Sequence, residues 1–204
     1  MSGTLFIISA ASGTGKTTLV KALLENCDNL KVSTSHTTRA KRAGELDGVH
    51  YHFTAKDDFV EMIGAGAFLE HAEVFDNYYG TARDNVEQNL HQDKDVILEI
   101  DWQGAQQVRR SYPKAVSIFI MPPSRGALRQ RLENRGQDSE EVITKRLNGA
   151  IADMSHFVEF DYVVINDDFD TALTELISIV KASRLRQNIQ LIRHAQRIED
   201  LLSS

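Results

Sequence analysis

Six residues near the N-terminus constrain this chain more than any other feature. Ser12-Gly13-Thr14-Gly15-Lys16-Thr17 directly follows an apolar run at Leu5 to Ser9. It opens a stretch in which Leu19, Val20, Leu23 and Leu24 form one apolar stripe at helical spacing. A strand, a glycine-rich turn and a helix in that order are the context a phosphate loop requires. The glycines let backbone N–H groups converge on an anion, and the helix N-terminus adds partial positive charge. Lys16 then reaches the outer phosphates, and Thr17 offers a hydroxyl to Mg²⁺. The pattern departs at one point: the first glycine of GxxxxGK[ST] is replaced by Ala10, at the strand end rather than among the phosphate-facing amides. An alanine is tolerated there if φ is negative. A glycine-rich turn can also simply join a strand to a helix, but a lysine immediately before a threonine at a helix start has no purely structural task.

Around that loop the chain reads as an α/β fold with a central parallel sheet. Apolar runs at Leu5 to Ile8, Val96 to Ile100, Val116 to Met121 and Tyr162 to Ile165 are short, rich in β-branched residues and not alternating, as buried parallel strands are. Leu128 and Leu132 begin a helical stripe, and Val142, Ile143, Leu147 and Ile151 continue the pattern beyond Gly136. The last long helix is predicted to open with Asp170 as N-cap, followed by Leu173, Leu176, Ile177 and Val180. The segment from Val32 to Phe75 differs. Val32 and Thr34 alternate, as do Tyr51 and Phe53, and Phe68 to Phe75 follows a short helix at Asp57 to Ile63. This predicts a small, partly antiparallel β lobe inserted after the first βα unit. A second excursion from Arg125 to Arg146, centred on Asn134 to Gln137, reads as a mobile cover.

Composition narrows the class further. A chain of 204 residues with 42 % hydrophobic and 25 % charged residues is globular rather than disordered or membrane-spanning. The single cysteine, Cys27, has no internal partner, and the N-terminal apolar run is too short for a signal peptide core. A reducing, cytoplasmic location is the expectation. Lys and Arg total 23 against 29 Asp and Glu, a net charge of −6 that disfavours non-specific nucleic-acid binding.

The remaining motifs match one family over nearly the whole chain, from Leu5 to about Leu185. Ser35-His36-Thr37-Thr38-Arg39, Arg42, Gly44-Glu45, Gly48 and Tyr51 begin the match. Phe68-Leu69-Glu70, Asn77-Tyr78-Tyr79-Gly80-Thr81, Ile100-Asp101, Gln103-Gly104, Arg135-Gly136 and Asn166-Asp167-Asp168 complete it. Together they resemble guanylate kinase of the bacterial type, within the P-loop nucleoside monophosphate kinases. The resemblance implies transfer of the γ-phosphoryl of ATP to GMP with Mg²⁺, and dGMP as a further acceptor. It also implies a single domain over 1–204, with a core at 1–32, 84–124 and 160–204, a GMP-binding lobe at 33–83 and a helical lid at 125–146.

Residue roles follow from that match. Ala10, Ala11, Ser12, Gly13, Thr14, Gly15, Lys16, Thr17, Thr18 and Asn166 are expected to bind ATP. Arg39, Arg42, Tyr51 and Tyr79 are expected around the acceptor phosphate, where arginine's planar fork suits a dianion. Without Ser35, Tyr51 and Tyr79, Arg39 and Arg42 beside Lys41 read by default as a solvated basic surface segment. Glu70 is the expected acceptor for the N1–H and N2–H₂ donors of guanine, with Ser35 and Thr81 beside the base. Alternation with Phe68 and Leu69 leaves a surface carboxylate open as well. Glu99 and Asp101 lie two apart and so share a strand face toward the nucleotides. Asp101 resembles the family's acidic residue near Mg²⁺ and is paired with Thr17 as a candidate metal contact. Glu99 stands where the family usually has Asp. Lys16, Arg39, Arg131, Arg135 and Arg146 are the catalytic candidates, the last three as arginines that close over the transferring phosphoryl. Arg125, Arg129 and Lys145 read as a solvated helix face. No general base is needed for an ionised phosphate acceptor, and His36 and His71 read as packing residues.

Beyond Ala182, Arg184, Arg186, Arg193, His194 and Arg197 interleave with Leu185, Ile189, Leu191, Ile192, Ile198, Leu201 and Leu202. An amphipathic helix that packs or forms an oligomer is expected there. Its basic face would fit nucleic acid less well, and neither nucleic acid nor membrane is an expected partner.

Overall fold

A computed structural model describes residues 3–74, 76–133 and 140–203. The expected centre of the cover, with Arg135, lies outside the described residues. The first strand, β1 (Leu5–Ala10), is buried at every position but the last. Phe6 and Ile8 face one core layer and Leu5 and Ile7 the other, so β1 must be covered on both sides. Helices α1 (Lys16–Asn26) and α7 (Phe169–Arg184) cover the first layer through Leu19, Leu23, Leu176 and Val180. Helices α3 (Arg83–His91) and α4 (Trp102–Ser111) cover the second through Val86, Leu90, Ala105 and Val108. Phe6, Ile7 and Ile8 are fully buried, each contributing about 1.5–3 kcal/mol. That makes β1 a rigid mount for the loop that follows it.

The main sheet is wholly parallel, with strand order β2 (Leu30–Val32), β7 (Asp95–Glu99), β1, β8 (Val116–Met121) and β9 (Tyr162–Ile165). Register places Ile8 beside Glu99 on one side and beside Ile118 on the other. All four apolar runs expected to be strands are strands of this sheet. Val32, at the end of the segment expected as core, ends the edge strand β2.

The lobe is a four-stranded mixed sheet ordered β4 (His52–Phe53), β3 (His36–Thr37), β6 (Asn77–Ala82) and β5 (Phe68–Val74). Strands β3 and β4 pair parallel, and β6 pairs antiparallel with both β3 and β5. Helix α2 (Lys56–Gly64) buries Phe59 against Phe68 and Tyr78, close to the range expected for it.

Two helices, α5 (Arg125–Glu133) and α6 (Glu140–Met154), form a third cluster in which Leu128, Leu132 and Ala150 pack on Ala11 of the phosphate loop. The N-cap of α7 is Asp168, not the expected Asp170: its Oδ1 accepts from the backbone N–H and the hydroxyl of Thr171, at 2.8 and 2.7 Å. A side chain two residues later already sits in the first turn and cannot reach back to those donors. The tail is not one helix but two, α8 (Gln187–Arg193) and α9 (Ala195–Leu202), divided at His194. Among the described residues no helix is long and apolar enough to cross a membrane.

Candidate active site

Ala10 keeps extended backbone at the end of β1, paired in register with Ile120. The chain then turns through Gly13 and Gly15, with φ values of 89° and 93°. Gly15 is needed for a second reason: a Cβ there would lie 2.6 Å from Nδ2 of Asn166. Asn166 follows β9 and donates from that nitrogen to the carbonyl of Thr14 at 2.7 Å. Arg131 of α5 donates to the same carbonyl at 3.2 Å and to the carbonyl of Asn166 at 2.9 Å. The loop is thus clasped from outside by a side chain of α5 and by the strand end. The N-cap of helix α1 is Gly15, so no side chain caps the helix. Its first N–H groups are therefore available to an anion. Arg146 of α6 donates to the hydroxyl of Ser12 at 3.2 Å.

Lys16, in the first turn of α1, is held below the ordinary lysine pKa by desolvation, while Glu99, Asp101 and Glu70 oppose that shift. Thr17 and Thr18 are exposed at the helix start. The hydroxyl of Thr17 donates to Oε2 of Glu99 at 3.4 Å. Asp101, by contrast, caps α4: its Oδ1 accepts from the N–H of Gly104 at 2.7 Å. The two acids do line one crevice, but Asp101 has one oxygen already committed.

Two cavities meet at this point. One, of about 190 Å³, is lined by Ser35, Tyr51, Glu70, Tyr79, Glu99 and Asp101 among others. The other, of about 420 Å³, is lined by Lys16, Thr17, Glu45 and His50 and shares Ser35, Tyr51 and Glu99 with the first. Glu70 is 4 % exposed. Phe68, Leu69 and Glu70 are all buried, so both faces of β5 are covered here, and the pairing of β5 with β6 shifts register between Phe68 and Glu70. Its Oε1 accepts from the Thr81 hydroxyl at 2.5 Å. Burial raises its pKa to about 7, against the lowering effect of that hydrogen bond. Gly104 makes room for it, since a Cβ there would stand 2.8 Å from Glu70 Oε2.

Arg39 pairs bidentately with Glu45, at 2.7 and 3.1 Å, and its guanidinium lies 5.4 Å from the Tyr51 ring centre. Glu45 also accepts from the backbone N–H of Arg42 at 2.8 Å. Its pKa falls to about 2, chiefly through the hydrogen bond from Arg39. The Arg42 side chain is exposed and lines neither cavity. Tyr79 and Tyr51 meet edge-on at 6.0 Å. Glu45 and Gln107 are structural partners outside the expected site residues. Gln107 brackets His71 on β5, accepting from its N–H at 3.2 Å and donating to its carbonyl at 2.9 Å. Its spacing of three from Gly104 was the available signal, since both lie on one face of α4. Arg129 pairs with Glu133 and Glu140, as a solvated helix face does.

A phosphate loop on a parallel sheet, beside a second cavity that shares its walls and contains the Glu70 carboxylate, defines the class: an α/β phosphate-loop protein. A family model described as guanylate kinase matches residues 2–183. The chain is 58 % identical over 203 residues to the guanylate kinase of Acinetobacter baylyi, covering 100 % of this chain and 98 % of that protein. It is 57 % identical over 203 residues to that of Escherichia coli (strain K12), covering 98 % of each. The crystal structure of guanylate kinase from Anaplasma phagocytophilum aligns with a TM-score of 0.76 and 36 % identity, over 91 % of this chain and 88 % of that one. The chain belongs to the guanylate kinase family.

Proposed function

We infer that this chain phosphorylates GMP with ATP, giving GDP and ADP, and that the residues around the two cavities divide the work as follows. The acceptor nucleotide occupies the Glu70 cavity, with guanine N1–H and N2–H₂ donating to the Glu70 carboxylate and with Ser35 and Thr81 beside the base. Its phosphate lies toward Tyr51, Tyr79, Arg39 and Arg42. ATP lies on the phosphate loop, its outer phosphates near Lys16. The acceptor oxygen attacks the γ-phosphorus as the bond to the β-phosphate oxygen breaks. The acceptor is ionised, so no base is required; the protein supplies position and positive charge. Arg131, Arg135 and Arg146 are assigned to the charge that develops on the transferring group. The buried carboxylate of Glu70, opening into a cavity that shares walls with the phosphate-loop cavity, is the observation that carries this reading.

Family membership brings with it a divalent metal ion with ATP, and Mg²⁺ is the proposed ion. The Thr17 hydroxyl and the Glu99 carboxylate, 3.4 Å apart at the exposed start of α1, are hard oxygen donors that fit it. These two, with Asp101 beside them, would hold the ion and its water shell. When bound, it neutralises charge on the β- and γ-phosphates. Recognition through base and phosphate supports dGMP as a second acceptor. The buried free Cys27 fits a reducing compartment, and the cytoplasm is the proposed location.

An ADP-release assay over GMP, AMP, CMP, UMP and dTMP tests the assignment. GMP should exceed the others by orders of magnitude, because a buried polar site rejects an analogue that leaves its groups unpaired. Faster turnover of AMP or UMP would refute the role of Glu70. Lys16→Ala should remove turnover while the protein stays folded.

A further inference from the structure

Trp102 is the only tryptophan in the sequence and the first residue of α4, directly after the cap Asp101. Its indole lies flat on the imidazole of His156, with ring centres 3.4 Å apart and planes within 7°. The indole Nε1 donates to Asp153 Oδ1 at 3.3 Å. His156 Nδ1 lies 2.7 Å from Glu159 Oε1, and Gln106 of α4 donates to the other oxygen of that carboxylate at 2.8 Å. Arg109 donates to the Glu159 backbone carbonyl. Trp102, Gln106 and Arg109 therefore clasp the segment in which α6 ends. From the same helix, Gln107 holds β5 at His71, and Gly104 leaves the space that Glu70 occupies.

Helix α6 carries Arg146, which reaches Ser12 of the phosphate loop. From Arg146 to Met154 the helix runs about 12 Å. A tilt of about 5° at its C-terminal end thus moves Arg146 by about 1 Å, a displacement that can cost on the order of a hundredfold in rate. We propose that the Trp102–His156 stack is the joint that sets the position of Arg146 over the phosphate loop, so that Trp102 and His156 are positioning residues for phosphoryl transfer. The inference rests on the reading of the chain as a GMP kinase in which Arg146 acts on the transferring phosphoryl. It assigns a role to two aromatic rings outside both cavities.

The test is steady-state kinetics of the full chain with ATP and GMP, together with Trp102 emission and thermal unfolding. His156→Ala should lower kcat roughly tenfold or more, leave KM for GMP within about twofold, and shift indole emission to longer wavelength. His156→Phe, which restores a ring on the indole, should recover kcat to within roughly threefold. In an Arg146→Ala background, His156→Ala should cost nothing further in kcat, because the joint acts through Arg146. Should His156→Ala fail to fold, His156→Gln provides the milder opening, with the same expected loss. A lowered unfolding midpoint with unchanged kcat would assign the stack to stability alone and overturn the joint. So would a full loss from His156→Ala in the Arg146→Ala background. An unchanged chain that failed to phosphorylate GMP would overturn the reaction and the joint together; an active chain insensitive to His156 would overturn the joint alone.

Discussion

Glu70 should make this protein less stable as the pH rises toward neutrality. Its carboxyl has a pKa of about 7 in the folded chain against 4.5 as the ordinary value, and burial is the main cause. Between those two values the folded state binds the proton more tightly than the unfolded state does, so unfolding free energy falls as pH rises. The cost is absent below about pH 4.5, grows up to about pH 7, and is constant above; a shift of this size corresponds to about 3 kcal/mol. Glu70→Gln keeps an acceptor for the Thr81 hydroxyl but never ionises. Urea unfolding of both proteins from pH 5 to 9, without nucleotide, should therefore give a stability difference in favour of the variant that widens to about pH 7 and then levels. The same substitution should raise KM for GMP steeply, because an amide presents a donor where guanine presents its own. In the unchanged protein GMP affinity should fall as pH drops below about 7, as the carboxylate that accepts from the base becomes protonated. A stability difference independent of pH, or a variant less stable at pH 8, would refute the account of Glu70 as a buried, desolvated carboxylate.

Much of the core was legible because its signal is one-dimensional. A strand buried on both faces shows as an apolar run without alternation, and β1, β7 and β8 do so; β9, at the sheet edge, carries the same kind of run although only its Val164 is buried. Strand β2 has three residues, of which only Leu30 is buried, too little to distinguish from a loop. Glu70 was ambiguous for a different reason. Phe68, Leu69 and Glu70 are buried in succession, so alternation along β5 does not tell a buried carboxylate from an exposed one. Asp101 and Asp168 show a third limit. An aspartate near a helix start can serve as a cap or as a ligand, and only the backbone decides which N–H it meets. Glu45 stands in a matched motif, yet its bidentate hold on Arg39 arises from a loop closure across six residues that no periodicity marks.

Three further substitutions probe this architecture. Asp168→Ala removes the cap of α7 and should cost about 1 kcal/mol, lowering the thermal midpoint by roughly 2–4 °C without changing kcat. Glu45→Gln frees one side of Arg39 and should raise KM for GMP by roughly two- to fivefold, as expected for a pair near the surface, with kcat nearly unchanged. Gly104→Ala separates stability from function more sharply. Alanine favours a helix interior over glycine by about 1 kcal/mol, but its Cβ would stand 2.8 Å from Glu70 Oε2 and 3.3 Å from Asp101 Oδ1. Both contacts are the ends of side chains, so the fold yields by moving the carboxylate rather than the helix. Unfolding should then stay within about 1 kcal/mol of the original, while KM for GMP rises by at least tenfold and KM for ATP does not move, as initial-rate measurements with each substrate varied would show. Equal effects on both substrates would mean that Gly104 supports the helix as a whole and not the space in which Glu70 meets its ligand.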